Sequence, residues 1–247
     1  MRVVSWFSAG VSSAVATYYA LKEFPHLSIL YIDIDNQHID SIRFVKDCET
    51  FFNKEIKILK SPYRSVERVI RQFKYVNGPY GARCSMMLKK RVRQEWELEN
   101  KPTHYVWGFD CSQREINRAE RVRETMTNYE HIFPLIDNIV SKDNAHGVLA
   151  SWGIKRPKMY DLGYPNNNCI GCVKGGKGYW NKIRVDFPKE FKRMAELERT
   201  VGASCIKGSY LDELDEDSGH KQKIIVPDCG EICETIKLDS RPEVDLL

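Results

Sequence analysis

The chain has 247 residues, with 38 basic and 34 acidic side chains and a formal net charge of +4. Hydrophobic residues make up 42% and charged residues 29%, a globular composition that excludes disorder as the overall state. No apolar run approaches the ~20 residues of a membrane span, and the opening MRVVSWFSAG lacks a signal peptide's apolar stretch, so a cytoplasmic location and no membrane partner are expected. The small positive excess permits a nucleotide or nucleic-acid partner without arguing for one. The length suits one large α/β domain, or one domain with an extension. The eight cysteines are Cys48, Cys84, Cys111, Cys169, Cys172, Cys205, Cys229 and Cys233. In a reducing compartment, clustered cysteines become metal-ligand or redox candidates.

Residues 1–7 have the pattern of a short buried strand. Ser8-Ala9-Gly10-Val11-Ser12-Ser13 follows, then a helix over 12–24 with Ser12 at its N-cap and Pro25 after its end. The apolar run 27–33 ends in Asp33 and suits a parallel strand covered on both faces. A helix over 39–52, a strand over 54–59 and a helix over 64–73 come next. The stretch 75–82 holds Asn77-Gly78-Pro79 and Gly81, a loop that delivers Cys84 to a charged helix running through Trp96. Residues 103–109 (THYVWGF) form the next strand. The order β-α-β-α-β-α-α-β predicts the α/β class, a doubly wound, mostly parallel sheet. Such sheets bind ligands at the carboxyl ends of their strands, where Ser8, Asp33 and Asp110 fall.

The character changes near residue 138. A helix over 141–151, a Gly/Asn-rich loop over 163–178 with two cysteines, a helical pair through 199 and a turn-rich, acidic tail follow. The expected organisation is a nucleotide-binding domain over 1–137, with an extension over 138–247 packed on the sheet's active edge. Trp180, Arg184, Phe187 and Phe191 are spaced as a helical packing surface.

Three constellations can carry chemistry. In FSAGVSSAV, small residues let the backbone approach an anion, hydroxyls add donors, and a helix N-terminus adds partial positive charge. The absence of GK[ST] excludes an ordinary P-loop. In Cys169-Ile170-Gly171-Cys172, two intervening residues let both thiolates reach one metal centre, with Cys229 and Cys233 as a later pair and Cys84 and Cys205 as single candidates. In the segment from Trp107-Gly108 to Arg121, Arg114, Arg118 and Arg121 recur at helical spacing. A guanidinium fork suits phosphate or sulfate, although Glu–Arg pairing on a solvated helix is the alternative. Arg114, at the loop-to-helix junction, is the favoured anion contact.

Together these residues resemble the PP-loop superfamily of adenine-nucleotide-binding enzymes. Within it, the closest likeness is to the phosphoadenosine phosphosulfate (PAPS) and adenosine phosphosulfate (APS) reductase family, over residues 3–180. It rests on Ser8 to Ser13, on YIDIDNQHIDSIRFV, on Trp107-Gly108 with Arg114-Glu115 and Arg118, and on Gly163-Tyr164 leading into the CxxC. The resemblance implies that Ser8, Ala9, Gly10, Val11, Ser12 and Ser13 hold phosphate or sulfate. It places Asp33, Gly108 and Arg118 around the nucleotide, which is ATP, APS or PAPS. It also implies a [4Fe–4S] cluster on Cys84, Cys169 and Cys172. Arg83 breaks the family's adjacent cysteine pair, so a fourth ligand, such as Cys233, must come from elsewhere or be absent. Ser12 replaces the acid of PP-loop pyrophosphatases, which weakens the case for Mg²⁺ but suits phosphosulfate reductases. Asp228-Cys229-Gly230 resembles the segment bearing the reductases' nucleophilic cysteine.

Three functions follow as expectations. The first is reductive sulfur chemistry, with Cys229 or Cys233 as nucleophile, Arg114 beside it, and an electron donor such as thioredoxin. The second is an ATP-dependent, AMP- and pyrophosphate-forming sulfurtransferase acting on nucleic acid or a small acceptor, with Lys89-Lys90-Arg91 as a basic segment. The third is a nucleotide-binding protein without turnover, in which Cys169, Cys172, Cys229 and Cys233 form a structural zinc site. A homodimer is compatible with each.

Overall fold

The computed structural model describes residues 1–78 and 81–219. Five strands form one parallel sheet: β1 (Val3–Trp6), β2 (Ser28–Asp33), β3 (Ile56–Lys60), β4 (His104–Val106) and β5 (Glu130–Ile132), in the order β3-β2-β1-β4-β5. β1 is central, with Val4 level with Ser28 on one side and Tyr105 on the other. The order reverses between β1 and β4, so the two halves of the sheet diverge there and leave a crevice beyond the strand ends.

Successive residues of a strand point to opposite faces, and the core follows that period. Val3, Phe7, Ile29 and Tyr31 belong to one cluster, together with Val15 of α1 (Val11–Glu23) and Phe44 of α2 (Asp40–Phe52). Val4, Trp6, Leu30 and Ile32 face the other, with Ile70 of α3 (Val66–Phe73). Covering both faces explains the apolar run Ile29–Ile32 of β2 and the burial of all four β1 residues, Ser5 among them with its hydroxyl paired to Thr17. Small side chains at Ala14, Ala16 and Ala20 are fully buried and let α1 lie close on the sheet.

A short helical turn, α4 (Arg83–Ser85), runs through a π-helical turn (Met86–Lys90) into α5 (Arg91–Asn100). α6 (Gln113–Thr125) and the short α7 (Pro134–Asp137) flank β5. Beyond them come α8 (Lys142–Ser151), α9 (Lys158–Asp161), α10 (Lys177–Asp186), α11 (Pro188–Val201) and a 3₁₀ turn (Leu211–Glu213). Trp180, Leu197 and Leu211 share one core cluster with Val4 and Trp107. Trp180 is fully buried, and Arg184 stacks on Phe191 as the packing pattern predicts.

The structure adds to the sequence expectations in three places. α1 begins at Val11 with Gly10 in extended backbone at its N-cap, in place of Ser12. β4 stops at Val106; Trp107 N–H still bonds the Ile132 carbonyl of β5 at 3.0 Å, and Gly108 and Phe109 then continue as a loop. β5 was not foreseen, because three residues at a sheet edge, one of them exposed, carry too short a pattern. No helix among the described residues is long and apolar enough to cross a membrane.

Candidate active site

A cavity of ≈ 160 Å³ opens at the crevice between β1 and β4. Trp6, Leu30, Ile32 and Trp107 give it apolar walls, and Ser8, Gly10, Ser12 and Ser13 line one end. This placement follows from topology, because the strand order reverses at that point and the flanking loops diverge.

The loop at that end is held by its own hydroxyls. Ser13 Oγ accepts from Ser8 N–H at 3.2 Å and from Ser8 Oγ at 3.0 Å, and donates to the Gly10 carbonyl at 2.9 Å. Ala9 sits at φ 56, an uncommon conformation for a residue with a Cβ. Ala9 and Val11 are buried in the core beneath the loop and support it rather than line the cavity. α1 starts at the cavity wall, so the partial positive charge of its first turn lies there. Gly108 crosses directly over this turn. A Cβ at Gly108 would stand 2.6 Å from Ser13 Cα and 2.8 Å from Ser13 N, so only glycine fits.

Cationic groups reach the cavity from three elements: Lys89 from the π-helical turn, Arg118 from α6 and Lys142 from the first turn of α8. π-helical turns are frequent at functional sites. Arg118 is held by Glu115 at 3.0 Å and lies over the Phe109 ring, its side chain 13% exposed. Arg114 is 63% exposed and lies outside the cavity lining. Lys142 donates to Asn166 Oδ1 at 2.5 Å. Asp33 also lies outside the lining, near Lys60 at 3.4 Å and Arg64 at 3.8 Å.

The region after residue 138 supplies much of the polar lining. The Tyr160 hydroxyl accepts from Val11 N–H at 3.3 Å, and Asn167 Nδ2 donates to the Ala9 carbonyl at 2.8 Å and to Ser41 Oγ at 3.0 Å. Asn167 Oδ1 and Asn168 Nδ2, both in cavity-lining residues, are buried with no hydrogen-bond partner among the described residues. Buried amide groups left this way are expected to meet a ligand or water. Lys142 and Tyr160 carry no signal in the sequence, whereas the three asparagines stand in the loop whose composition suits a ligand site.

Cys169 lines the same cavity. The CxxC turn is docked on the β2 exit by Ile170 N–H to the Asn36 carbonyl at 2.8 Å, with Gly171 at φ 74. Tyr179 ties its two ends together. The Tyr179 hydroxyl accepts from Cys172 N–H at 2.8 Å and donates to the Cys169 carbonyl at 3.1 Å, and burial pushes its pKa far up. Tyr31, whose pKa is raised by burial and then by Asp33 and Cys169, donates to Gln37 Oε1 at 2.7 Å. Cys172 and Cys205 are buried in the core cluster against which Cys84 and Cys169 pack. Cys48 is buried in the other cluster, its thiol pKa raised by burial.

No three His, Cys, Asp or Glu side chains among the described residues converge tightly enough for a single metal ion. Cys229 and Cys233 lie outside the described residues, as does the segment Asp228-Cys229-Gly230.

This combination of a parallel sheet, a hydroxyl-rich strand-to-helix loop and a cavity at the switch point defines an anion- and nucleotide-binding class of α/β protein. The sequence profile of the phosphoadenosine phosphosulfate reductase domain matches residues 2–175, and the chain belongs to that family. It is also similar to an uncharacterized protein of Methanocaldococcus jannaschii, with 21% identity over 208 residues. That match covers 79% of this chain and 47% of the archaeal one, so the chain spans about half the length of this relative.

Proposed function

We propose that the chain binds an adenine nucleotide bearing a phosphosulfate in this cavity and reduces its sulfur. The observation that carries the reading is a convergence at one strand edge: the Ser8–Ser13 loop, the Arg118 and Lys142 cations, and the Cys169 thiol line a single cavity. In this reading the base lies between Trp6, Leu30, Ile32 and Trp107, whose faces suit an aromatic heterocycle. The loop and the start of α1 hold the anionic end, and Arg118 and Lys142 neutralise charge that grows on the leaving phosphate.

A thiolate, from Cys229 or Cys233, attacks the sulfur. A sulfur–sulfur bond forms and the sulfur–oxygen bond breaks, and its electron pair leaves on the phosphate of the nucleotide. A dithiol donor of the thioredoxin class then displaces sulfite, and the two thiols are oxidised to a disulfide.

The family resemblance also implies an iron–sulfur cluster on Cys84, Cys169 and Cys172, but no three His, Cys, Asp or Glu side chains among the described residues come together to hold a metal, and no step of this reading runs through one. Tyr179 fixes the spacing of the CxxC backbone, and Cys169 lines the cavity wall.

The test is sulfite release from APS and from PAPS, with thioredoxin and its reductase as donor. Cys229→Ser or Cys233→Ser is expected to abolish sulfite release while the nucleotide still binds. Conversion of ATP to AMP and pyrophosphate, with no sulfite from either phosphosulfate, would replace this reading with a sulfurtransferase.

A further inference from the structure

We propose that His131, in its neutral form, is the positioning residue for the Trp107 wall of the cavity, so that nucleotide affinity falls when this ring takes up a second proton. The inference rests on the reading that the base lies against Trp107. His131 stands behind the wall, outside the cavity lining, and acts through the indole, whose Nε1–H donates to its Nδ1 at 3.0 Å. At the other side of the ring, Nε2 meets the Met126 carbonyl at 2.9 Å.

These two partners decide which nitrogen carries the hydrogen. An indole N–H can only donate and a carbonyl can only accept, so Nδ1 is bare and Nε2 is protonated. A further proton can enter only at Nδ1, where it would set two N–H donors against each other. The bond to Trp107 is then lost, and the N–H of a side chain that is 5% exposed has to find another acceptor. The Trp107 backbone stays where it is, because its N–H is held by the Ile132 carbonyl at 3.0 Å. Protonation therefore moves the indole and with it the wall, not the strand.

The surroundings keep the ring neutral. It is half-buried between the rings of Tyr105 on β4 and Phe133, each with its centroid 6.3 Å away. That burial is the main cause of its lowered pKa, against which the Met126 carbonyl acts. Of the charged groups facing it, Arg123 of α6 and Arg93 of α5 lower the value further, and Glu130 beside it on β5 raises it. The wall is thus fully set above pH 6.5 and is released as pH falls through the lower, folded value. Linkage demands the converse: a nucleotide that prefers the neutral ring pushes the pKa of His131 down when it binds.

The experiment follows the indole N–H resonances of the full chain, made with nitrogen-15 tryptophan, from about pH 7.5 to about pH 5. Trp107→Phe assigns the signal. The wild-type Trp107 resonance is expected to shift with a midpoint below 6.5, and the midpoint to drop further with saturating APS. Calorimetry with APS covers the same range, in which its phosphosulfate has no titrating group of the phosphomonoester kind. Wild-type affinity is expected to fall on the order of 10-fold toward the acid end. His131→Gln can offer an amide oxygen to the indole and an N–H to the carbonyl, with nothing to titrate. It should bind APS within about twofold of the wild type at neutral pH and keep that affinity in acid.

A Trp107 resonance that stays fixed across the range overturns the link between the two rings. A glutamine variant whose affinity falls with pH as steeply as that of the wild type overturns the effect on binding. A wild type that binds no APS at any pH overturns the nucleotide reading and the affinity half of this inference with it; the indole titration, which needs no ligand, still decides the link.

Discussion

Arg114 and Arg118 lie one helical turn apart, yet only Arg118 lines the cavity, held between Glu115 and the face of Phe109. A guanidinium fixed in this way gives up little freedom on meeting an anion. Arg118→Gln should weaken binding of APS or PAPS by roughly 10-fold or more, the scale of a hydrogen bond to a charged group. Arg114→Ala should stay within about twofold, as for an exposed position; titration calorimetry on both variants checks the contrast. The sequence offered both arginines at helical spacing, but which of them faces a cavity depends on where α6 leaves β4. His131 illustrates a different single-residue effect. Its Nδ1 accepts from Trp107 Nε1 at 3.0 Å, and its Nε2 meets the Met126 carbonyl at 2.9 Å. Burial lowers its pKa, with Arg123 and Arg93 acting in the same direction, while the Met126 bond and Glu130 oppose them. The folded value thus lies below the ordinary 6.5, and the unfolded chain binds more protons between the two. Stability from this residue is complete above pH 6.5 and falls as pH drops toward the folded value. Tm should therefore fall further between pH values of about 7.5 and 5.5 in the wild type than in His131→Gln. The difference between the two proteins isolates this residue from His146, whose pKa is lowered too.

At the scale of elements, the site depends on how closely the loop after β4 passes over α1. Gly108 makes that crossing possible, and a methyl group there would overlap the backbone of Ser13, which has no side-chain freedom with which to yield. Gly108→Ala should cost about 1–3 kcal/mol or more in chemical denaturation, the range for overpacking, and should abolish nucleotide binding. Gly10→Ala is the milder companion. Its new methyl would meet the ends of two side chains, Tyr160 at 3.3 Å and Ser8 at 3.4 Å, which can shift. Elements with a strong period were legible in the sequence: the β1 and β2 runs, α1, α2 and the parallel order all follow from apolar spacing and turn residues. β5 and the π-helical turn at Met86–Lys90 were not. A three-residue edge strand has almost no pattern of its own. A π-turn changes hydrogen bonding by one residue without changing which residues are apolar, and that shift places Lys89 on the cavity.

Across the whole molecule, the chain after residue 138 completes the cavity, and this was the least legible part of the site. Its contributors, Lys142, Tyr160 and Asn166 to Asn168, lie more than a hundred residues from the loop they serve, and no local pattern links them to it. The CxxC was readable because its two cysteines lie three residues apart in the chain. Two of the ties that fasten this region to the rest of the fold bear on the site. The first is at α2, where Arg43 pairs with Asp40 and donates to the Lys155 and Arg156 carbonyls, while Lys158 N–H donates to Asp40. The second is Asn167, 7% exposed, which reaches the Ala9 carbonyl and Ser41 at once. Ala9 is in a left-handed conformation that costs an ordinary residue roughly 1–2 kcal/mol, and such geometry persists only where its surroundings enforce it. Asn167→Ala removes that enforcement and leaves the sheet, α1 and both core clusters intact. Each lost bond is worth about 1 kcal/mol net, so Tm should fall by only a few degrees. Nucleotide affinity should fall more steeply, by roughly 10-fold, because the loop would reorder its backbone on each binding event. Faster amide exchange over residues 8–13, with exchange in β1 and β2 unchanged, would show that Asn167 acts on the loop's conformation. Wild-type exchange in that loop together with wild-type affinity would mean that Ser13 and its hydroxyl contacts hold Ala9 unaided.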